Sequence, residues 1–252
     1  MILLQTFIQT DDKNVKMHYT YLFPRSTQCL YGLLFILLST FALGNAVTWN
    51  AWKKETLEEL PSIPGWCSRE KASKIMDFLY KVRPKQCVEI GAFCGSTTYP
   101  MVRSLQYLKM GKLWAVDAWD CQKAIEGLGR HSPDAIWWSK VDMKACFGAI
   151  QNLISRKQLT KWCRVVQSTS QEALSSFPDE SIDFIYIDGS FSSETSLHDS
   201  ILSYRKVKKG GYIWVNDSHC ASKLESVAYL MERCTWIQEH SLSNQSIVFK
   251  KE

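Results

Sequence analysis

From residue 66 onward the chain alternates short runs rich in β-branched and aromatic residues with longer amphipathic stretches, and this pattern restricts the fold most tightly. Strand-length runs separated by helix-length ones build βαβ units, whose strands pair in parallel and need helices on both faces. Strands are expected at residues 87–90, 113–116, 163–166, 182–187, 212–215, 235–239 and 246–249. Ser68 is a suitable cap for a helix running to about Val82, with Ala72, Ile75, Met76, Leu79 and Tyr80 at helical spacing and Pro84 beyond its end. Further helices are expected over 97–108, 141–155, 171–177, 194–207 and 221–233. The last two strands are separated by only about six residues, too few for a helical crossover, so they should pair as an antiparallel hairpin. The expected fold class is α/β, a Rossmann-like seven-stranded sheet with an antiparallel last strand.

Upstream, the apolar residues gather. No charge occurs between Arg25 and Lys53, and the centre reads Leu30-Tyr31-Gly32-Leu33-Leu34-Phe35-Ile36-Leu37-Leu38. Residues 29–47, as a hydrophobic helix, would reach about 28 Å at about 1.5 Å per residue, just enough to span a hydrocarbon core of about 30 Å. Apolarity weakens after Leu38, and Gly44-Asn45-Ala46 offers small residues at both positions of a signal-peptidase-like site. A secretory signal and an uncleaved membrane anchor both fit. The chain therefore divides into a leader over 1–52, a linker over 53–65 containing Pro61 and Pro64, and the α/β domain over 66–252. An anchored protein whose catalytic domain faces the cytoplasm and a secreted one are both open.

An apolar fraction of 46% with 22% charged residues excludes a disordered or collagenous chain. The net charge of +5, without any run of five basic residues, gives no reason to expect a nucleic-acid partner. Nine cysteines, an odd number without a Cys-x-x-Cys pair, indicate neither a zinc site nor a fully paired disulfide framework.

The loop after the first strand, Glu89-Ile90-Gly91-Ala92-Phe93-Cys94-Gly95-Ser96-Thr97, places a carboxylate at a strand end and two glycines four apart before a helix. Open α/β sheets bind ligands at such carboxyl ends, and glycine lets the backbone come close. The spacing is neither the G-x-G-x-x-G of a dinucleotide site nor a P-loop, which needs a Lys after its last glycine. A ligand without phosphates fits better, and the cationic sulfonium of S-adenosylmethionine would favour an acidic strand end. The plain alternative is a glycine-rich turn with a structural role only. Asp117 ends the second strand, where it can accept hydrogen bonds from ribose hydroxyls or simply face solvent. The third strand runs into Ser168-Thr169-Ser170-Gln171-Glu172, suited to adenine contacts and equally to capping a helix.

Taken in order, these motifs resemble class I S-adenosylmethionine-dependent methyltransferases, particularly small-molecule O-methyltransferases like catechol O-methyltransferase and the related methyltransferase family 24. The resemblance covers roughly residues 66–250. Its most specific part is the 89–97 loop, similar to that family's Glu-Leu-Gly-Ala-Tyr-Cys-Gly-Tyr-Ser. Ser170-Gln171-Glu172, Asp183-Phe184-Ile185-Tyr186-Ile187-Asp188-Gly189 and Lys209-Gly210-Gly211-Tyr212 support it. It implies that S-adenosylmethionine is the cofactor. Glu89, Gly91, Ala92, Phe93, Gly95 and Ser96 would line its methionine end, Asp117 its ribose, and Ser170 and Gln171 its adenine, with Asp188 also at the cofactor.

Asp188 and Asn216-Asp217 close the fourth and fifth strands, and hard oxygen ligands there suit Mg²⁺. In the similar metal-dependent O-methyltransferases these positions hold the ion, which lowers the pKa of the acceptor hydroxyl. Alternatively Asp188 contacts only the cofactor or caps the next helix, and Asn216-Asp217 shape a loop. Family members usually carry His where this chain has Phe191, so a general base is missing at that position. His219 is the better-placed histidine to assist Asp188 in catalysis, with a surface role as its alternative, while His198 belongs to a helix surface. The long connection over 118–140, with Trp119, His131, Trp137 and Trp138, is either a substrate lid or core packing. Cys94 is expected to be a small buried filler rather than a nucleophile. The implied function is methyl transfer to a small-molecule acceptor, through O-methylation, with or without a metal. The competing reading is a non-catalytic membrane-linked or secreted protein that keeps the fold.

Overall fold

The computed structural model describes residues 47–242 and 245–252. The hydrophobic helix or leader expected at 29–47 lies outside the described residues apart from its last one. Among the described residues no helix is long and apolar enough to cross a membrane. Their eight cysteines are free thiols.

Seven strands form one sheet: β1 (Gln86–Ile90), β2 (Lys112–Asp117), β3 (Cys163–Gln167), β4 (Ile182–Ile187), β5 (Val207–Asn216), β6 (Cys234–Trp236) and β7 (Ser246–Lys251). Their spatial order is β3-β2-β1-β4-β5-β7-β6. β1 to β5 pair in parallel, and β7 inserts antiparallel between β5 and β6. The expected antiparallel last strand and hairpin are therefore present. The chain leaves β1 toward β2 on one side and returns as β4 on the other. That reversal opens a crevice beyond the carboxyl ends of β1 and β4.

Both faces of the sheet are covered, which is why its central strands read as nearly continuous apolar runs. Along β4, Phe184 and Tyr186 join a core with Phe78, Tyr99, Leu105, Ile150 and Trp214. The alternate residues Ile185 and Ile187 join the opposite core with Val88, Val116, Leu174, Ile213 and Leu230. The helix expected to start at Ser68 is α2 (Arg69–Val82), whose first turn is capped by the Ser68 hydroxyl accepting from the Lys71 amide at 3.1 Å. Its buried stripe Ala72, Ile75, Met76 and Leu79 follows the expected spacing, while Tyr80, expected with them, is exposed and stacks on Trp49. The other expected helices appear as α3 (Thr98–Leu108), α6 (Met143–Arg156), α7 (Ser170–Ser175), α8 (Ser193–Lys206) and α9 (Leu224–Met231).

The stretch divided between leader and linker differs from expectation. Trp49–Glu59 is a helix, α1, followed by a single 3₁₀ turn at Leu60–Ser62. It has no aliphatic stripe to betray it and is held instead by aromatic and charged contacts. Trp49 stacks on Tyr80 at 4.5 Å, and the Arg103 guanidinium lies 3.7 Å over the Trp52 ring while binding Glu55 at 2.8 Å. Glu59 accepts from the Tyr99 hydroxyl and, at 2.7 Å, from Lys157. The 118–140 connection also holds two short helices, α4 (Cys121–Ala124) and α5 (Pro133–Trp138).

Candidate active site

The loops after β1, β2, β4 and β5 enclose a cleft of about 1340 Å³ at the carboxyl edge of the sheet. Gly91 opens the β1 loop at φ +89°, and a Cβ there would collide with the Asp188 carbonyl, so the β1 and β4 loops touch only because residue 91 lacks a side chain. Asp117 ties the β1 loop to the β2 loop. One of its oxygens accepts from the Phe93 amide at 3.0 Å, the other from the Trp119 amide at 2.8 Å. Burial pushes the Asp117 carboxyl above its ordinary pKa, and the bonds from the Trp119, Phe93 and Ala118 amides oppose that shift. Three amides on about four lone-pair sites leave one for a further donor.

Gly91, Ala92, Phe93, Ser96, Asp117, Ser170, Gln171 and Asp188 all line the cleft. Glu89 and Gly95, expected to line it with them, lie behind its wall. Glu89 is fully buried, accepts from the Thr98 hydroxyl at 2.5 Å, and has a second oxygen without a protein partner. Burial drives its pKa well up, and the neighbouring Asp188 and Asp117 add to the shift. The site of Gly95 faces Ile150 and Leu153 in the core. Thr169 rather than Ser170 caps α7, in a reciprocal box with Glu172, which frees Ser170 to donate to Asp199. Asp199 is almost fully buried with its other oxygen unpartnered, and burial raises its pKa to about 6.

At the β4 and β5 ends the three oxygen-bearing residues meet a group the sequence did not single out. The Asn216 amide donates to Asp188 at 2.8 Å, and the Asn216 carbonyl oxygen accepts from the Lys71 ammonium at 3.2 Å. Burial pushes the Asp188 carboxyl up in pKa, and the Lys71 charge pulls it back. These residues do not fit a divalent ion, because the one oxygen Asn216 can offer is turned to an ammonium and its nitrogen covers Asp188. Among the described residues no group of three His, Cys, Asp or Glu side chains is gathered to hold a metal. Asp217 and Phe191 line the cleft, and His219 is exposed on its rim, 3.8 Å from the Cys220 sulfur. His198, expected on a helix surface, also reaches the lining.

The 118–140 connection supplies one wall. Trp66 stacks on Phe93 at 5.2 Å and meets Trp137 edge-on at 5.3 Å, while Trp138 packs edge-on against Trp137 at 4.7 Å. Trp66 is 62% exposed and Trp137 46%, so the cluster is open to a ligand rather than part of the core. Trp119 instead turns inward against Phe147, and His131 is exposed and away from the lining. Cys94 is buried beside Cys146, with its pKa pushed up to about 12 by burial, which suits a filler. Lys71, Trp66 and Asp199 escaped the sequence reading because none lies in a recognisable motif.

A family model described as a methyltransferase domain matches residues 88–218, which is 131 of the 252 residues and covers the β1 loop, Asp117 and the β4 and β5 ends. The chain belongs to methyltransferase family 24. It is thus a class I S-adenosylmethionine-dependent methyltransferase. No curated protein matches it in sequence. Solved structures share the family 24 fold at low identity. The SAH-bound methyltransferase PaMTH1 of Podospora anserina is 12% identical, with a TM-score of 0.56 over 93% of this chain and 99% of that one. The O-methyltransferase from Bacillus cereus, in complex with SAH, is 14% identical, with a TM-score of 0.53 over 78% of this chain and 91% of that one.

Proposed function

We propose that the protein methylates an oxygen of a small-molecule acceptor. The observation that carries this reading is one continuous cleft lined by Gly91 to Phe93, Asp117, Ser170 and Gln171 and also by Lys71, Asp188 and Asn216, with Trp66 and Trp137 packed on Phe93. Its volume of about 1340 Å³ exceeds the range of about 300–1000 Å³ usual for one drug-sized ligand, leaving room for a cofactor and an acceptor together. When bound, S-adenosylmethionine supplies a methyl group on a positively charged sulfur, open to displacement by an oxygen.

The chain contributes position and field. Asp117 accepts from a ribose hydroxyl with its remaining lone pair, Ser170 and Gln171 face the adenine, and the 91–96 loop receives the methionine part. The Asp188 carboxylate lies where it attracts the sulfonium charge. The aromatic wall of Trp66, Phe93, Trp137 and Trp138 holds the flat body of an acceptor and displaces water, so the reacting atoms meet at near-attack distance. His219, on the open rim, would pass the proton of an acceptor that is not already ionised to solvent. A divalent ion has no part in this proposal, since Asn216 already serves Lys71 and Asp188. Calorimetric titration of S-adenosylmethionine and S-adenosylhomocysteine tests the cofactor half of the reading. Micromolar binding is expected, and absence of binding by the folded protein overturns it.

A further inference from the structure

A lysine carries the positive charge at the acceptor end of the cleft. Lys71 sits in the first turn of α2, only 7% exposed, and reaches across 145 residues of sequence to the Asn216 carbonyl oxygen. An ammonium has three N–H donors, and among the described residues this one spends a single hydrogen bond. Lys71 lines the cleft that Asp188 also lines, so its remaining donors are available to a ligand there. Lys123, the other cation in the lining, lies on the 118–140 connection and pairs with Glu126 at 3.1 Å. Lys223 is buried behind the β4 loop, bound to the Ser190 carbonyl and the Ser196 hydroxyl, and does not line the cleft. The carboxyl whose charge couples to Lys71 is Asp188, beside which Asp217 also lies.

An ammonium hydrogen-bonded to Asn216 excludes a divalent cation from the same few ångströms by like-charge repulsion. It also provides what such an ion would offer an acceptor, a fixed positive charge beside the incoming oxygen. With Phe191 in the lining there is no imidazole at that position to take a proton from a neutral hydroxyl. An acceptor already ionised at neutral pH needs none.

Resting on the methyltransferase reading above, we propose that Lys71 is the acceptor-binding residue of a metal-free site, its ammonium holding the oxyanion of an acidic phenol or a carboxylic acid whose flat body lies against Trp66 and Trp137. The acceptor's proton has gone to water before it binds. Phenols and carboxylic acids share this chemistry, and the test separates them.

The experiment uses the full chain saturated with S-adenosylhomocysteine. Titration of that cofactor product comes first, and its failure to bind the folded protein would count against the methyltransferase reading itself. With it bound, Mn²⁺ is added and followed by electron paramagnetic resonance, and 4-nitrophenol and benzoate are titrated separately. The visible absorbance of 4-nitrophenol reports whether it binds as the anion. The expected results are no bound Mn²⁺, and binding of at least one of the two probes as its anion. Lys71→Met should weaken that binding by about tenfold or more, the loss of one charge-assisted hydrogen bond, with Lys71→Arg recovering part of it. Both variants should keep S-adenosylhomocysteine affinity within about threefold, which shows that the cleft is still folded. One equivalent of bound Mn²⁺, failure of both probes to bind at millimolar concentration, or equal binding by Lys71→Met overturns the proposal.

Discussion

The two ends of the cleft are built by different means. At the β1–β2 end, backbone amides and one carboxylate do the shaping: Asp117 clamps the amides of Phe93 and Trp119, and Gly91 packs directly under the Asp188 carbonyl. At the β4–β5 end, side chains from distant segments meet, Lys71 from α2 and Asn216 from β5, and the nearby wall is made the same way, with Trp66 from before α2 and Trp137 from α5 packed on Phe93. The first end is held by bonds internal to the chain, which do not depend on the acceptor's identity. The second is held by side-chain identities that can change without disturbing the sheet. This division suits a methyltransferase with one cofactor and a changeable acceptor, with cofactor chemistry held by the chain's internal bonds and selectivity by side-chain identities.

Breaking the junction between the ends should have the largest effect. Gly91→Ala forces a side chain into the Asp188 carbonyl at a positive φ, and we expect a stability loss on the order of 3 kcal/mol or more together with loss of S-adenosylhomocysteine binding. Urea denaturation and calorimetry measure the two; a variant as stable and as tight as the parent would show that the loops are not pressed together there.

The next effect concerns the buried carboxyl behind Ser170. Asp199 titrates near 6 in the folded protein, above an unfolded carboxylate near about 3.9, so the native state holds its proton more tightly. Its contribution to stability is fully present below about pH 4 and is lost as pH rises through about 6. The stability difference between the parent and Asp199→Asn should therefore fall by up to about 3 kcal/mol over that window, read from urea melts at several pH values. A difference that stays flat from pH 4 to 6.5 would mean that Asp199 is not the group responsible.

A crossed pair then sharpens the contrast between the ends. Asp117→Ala should weaken S-adenosylhomocysteine by about 2 kcal/mol, or about thirtyfold, since a charged acceptor of a ribose hydroxyl and of two loop amides is lost. Trp137→Ala should leave that affinity unchanged and raise the acceptor KM by about five- to tenfold, the worth of one aromatic contact. If Trp137→Ala weakened the cofactor product as much as Asp117→Ala did, the two ends would not be separable.

The β1 loop was legible because its information is contiguous: a strand, two glycines four apart and a helix start lie within nine residues. The same holds for α2, where the Ser68 cap and the apolar stripe are local. Even within the loop, sequence could not tell which residues face the cleft, and Glu89 and Gly95 turned out to face the core. Helix α1 escaped the sequence reading because aromatic stacking and ion pairs to α2 and α3 hold it, and those partners are distant in sequence. Asp188, Asn216 and Asp217 lie together at the β4 and β5 ends, but their use as a metal site could not be judged without knowing where Lys71 points.

Periodicity and motif order were enough to establish the α/β class, the antiparallel last strand and the S-adenosylmethionine-dependent methyltransferase family, because hydrogen-bonded secondary structure and glycine loops impose their demands on neighbouring residues. Which cation stands at the acceptor end, which tryptophans form its wall and which carboxyl lies buried behind Ser170 were decided only by tertiary packing. Those contacts join segments as far as 145 residues apart, and the pattern of residues along the chain carries no record of which side chains will meet across that distance.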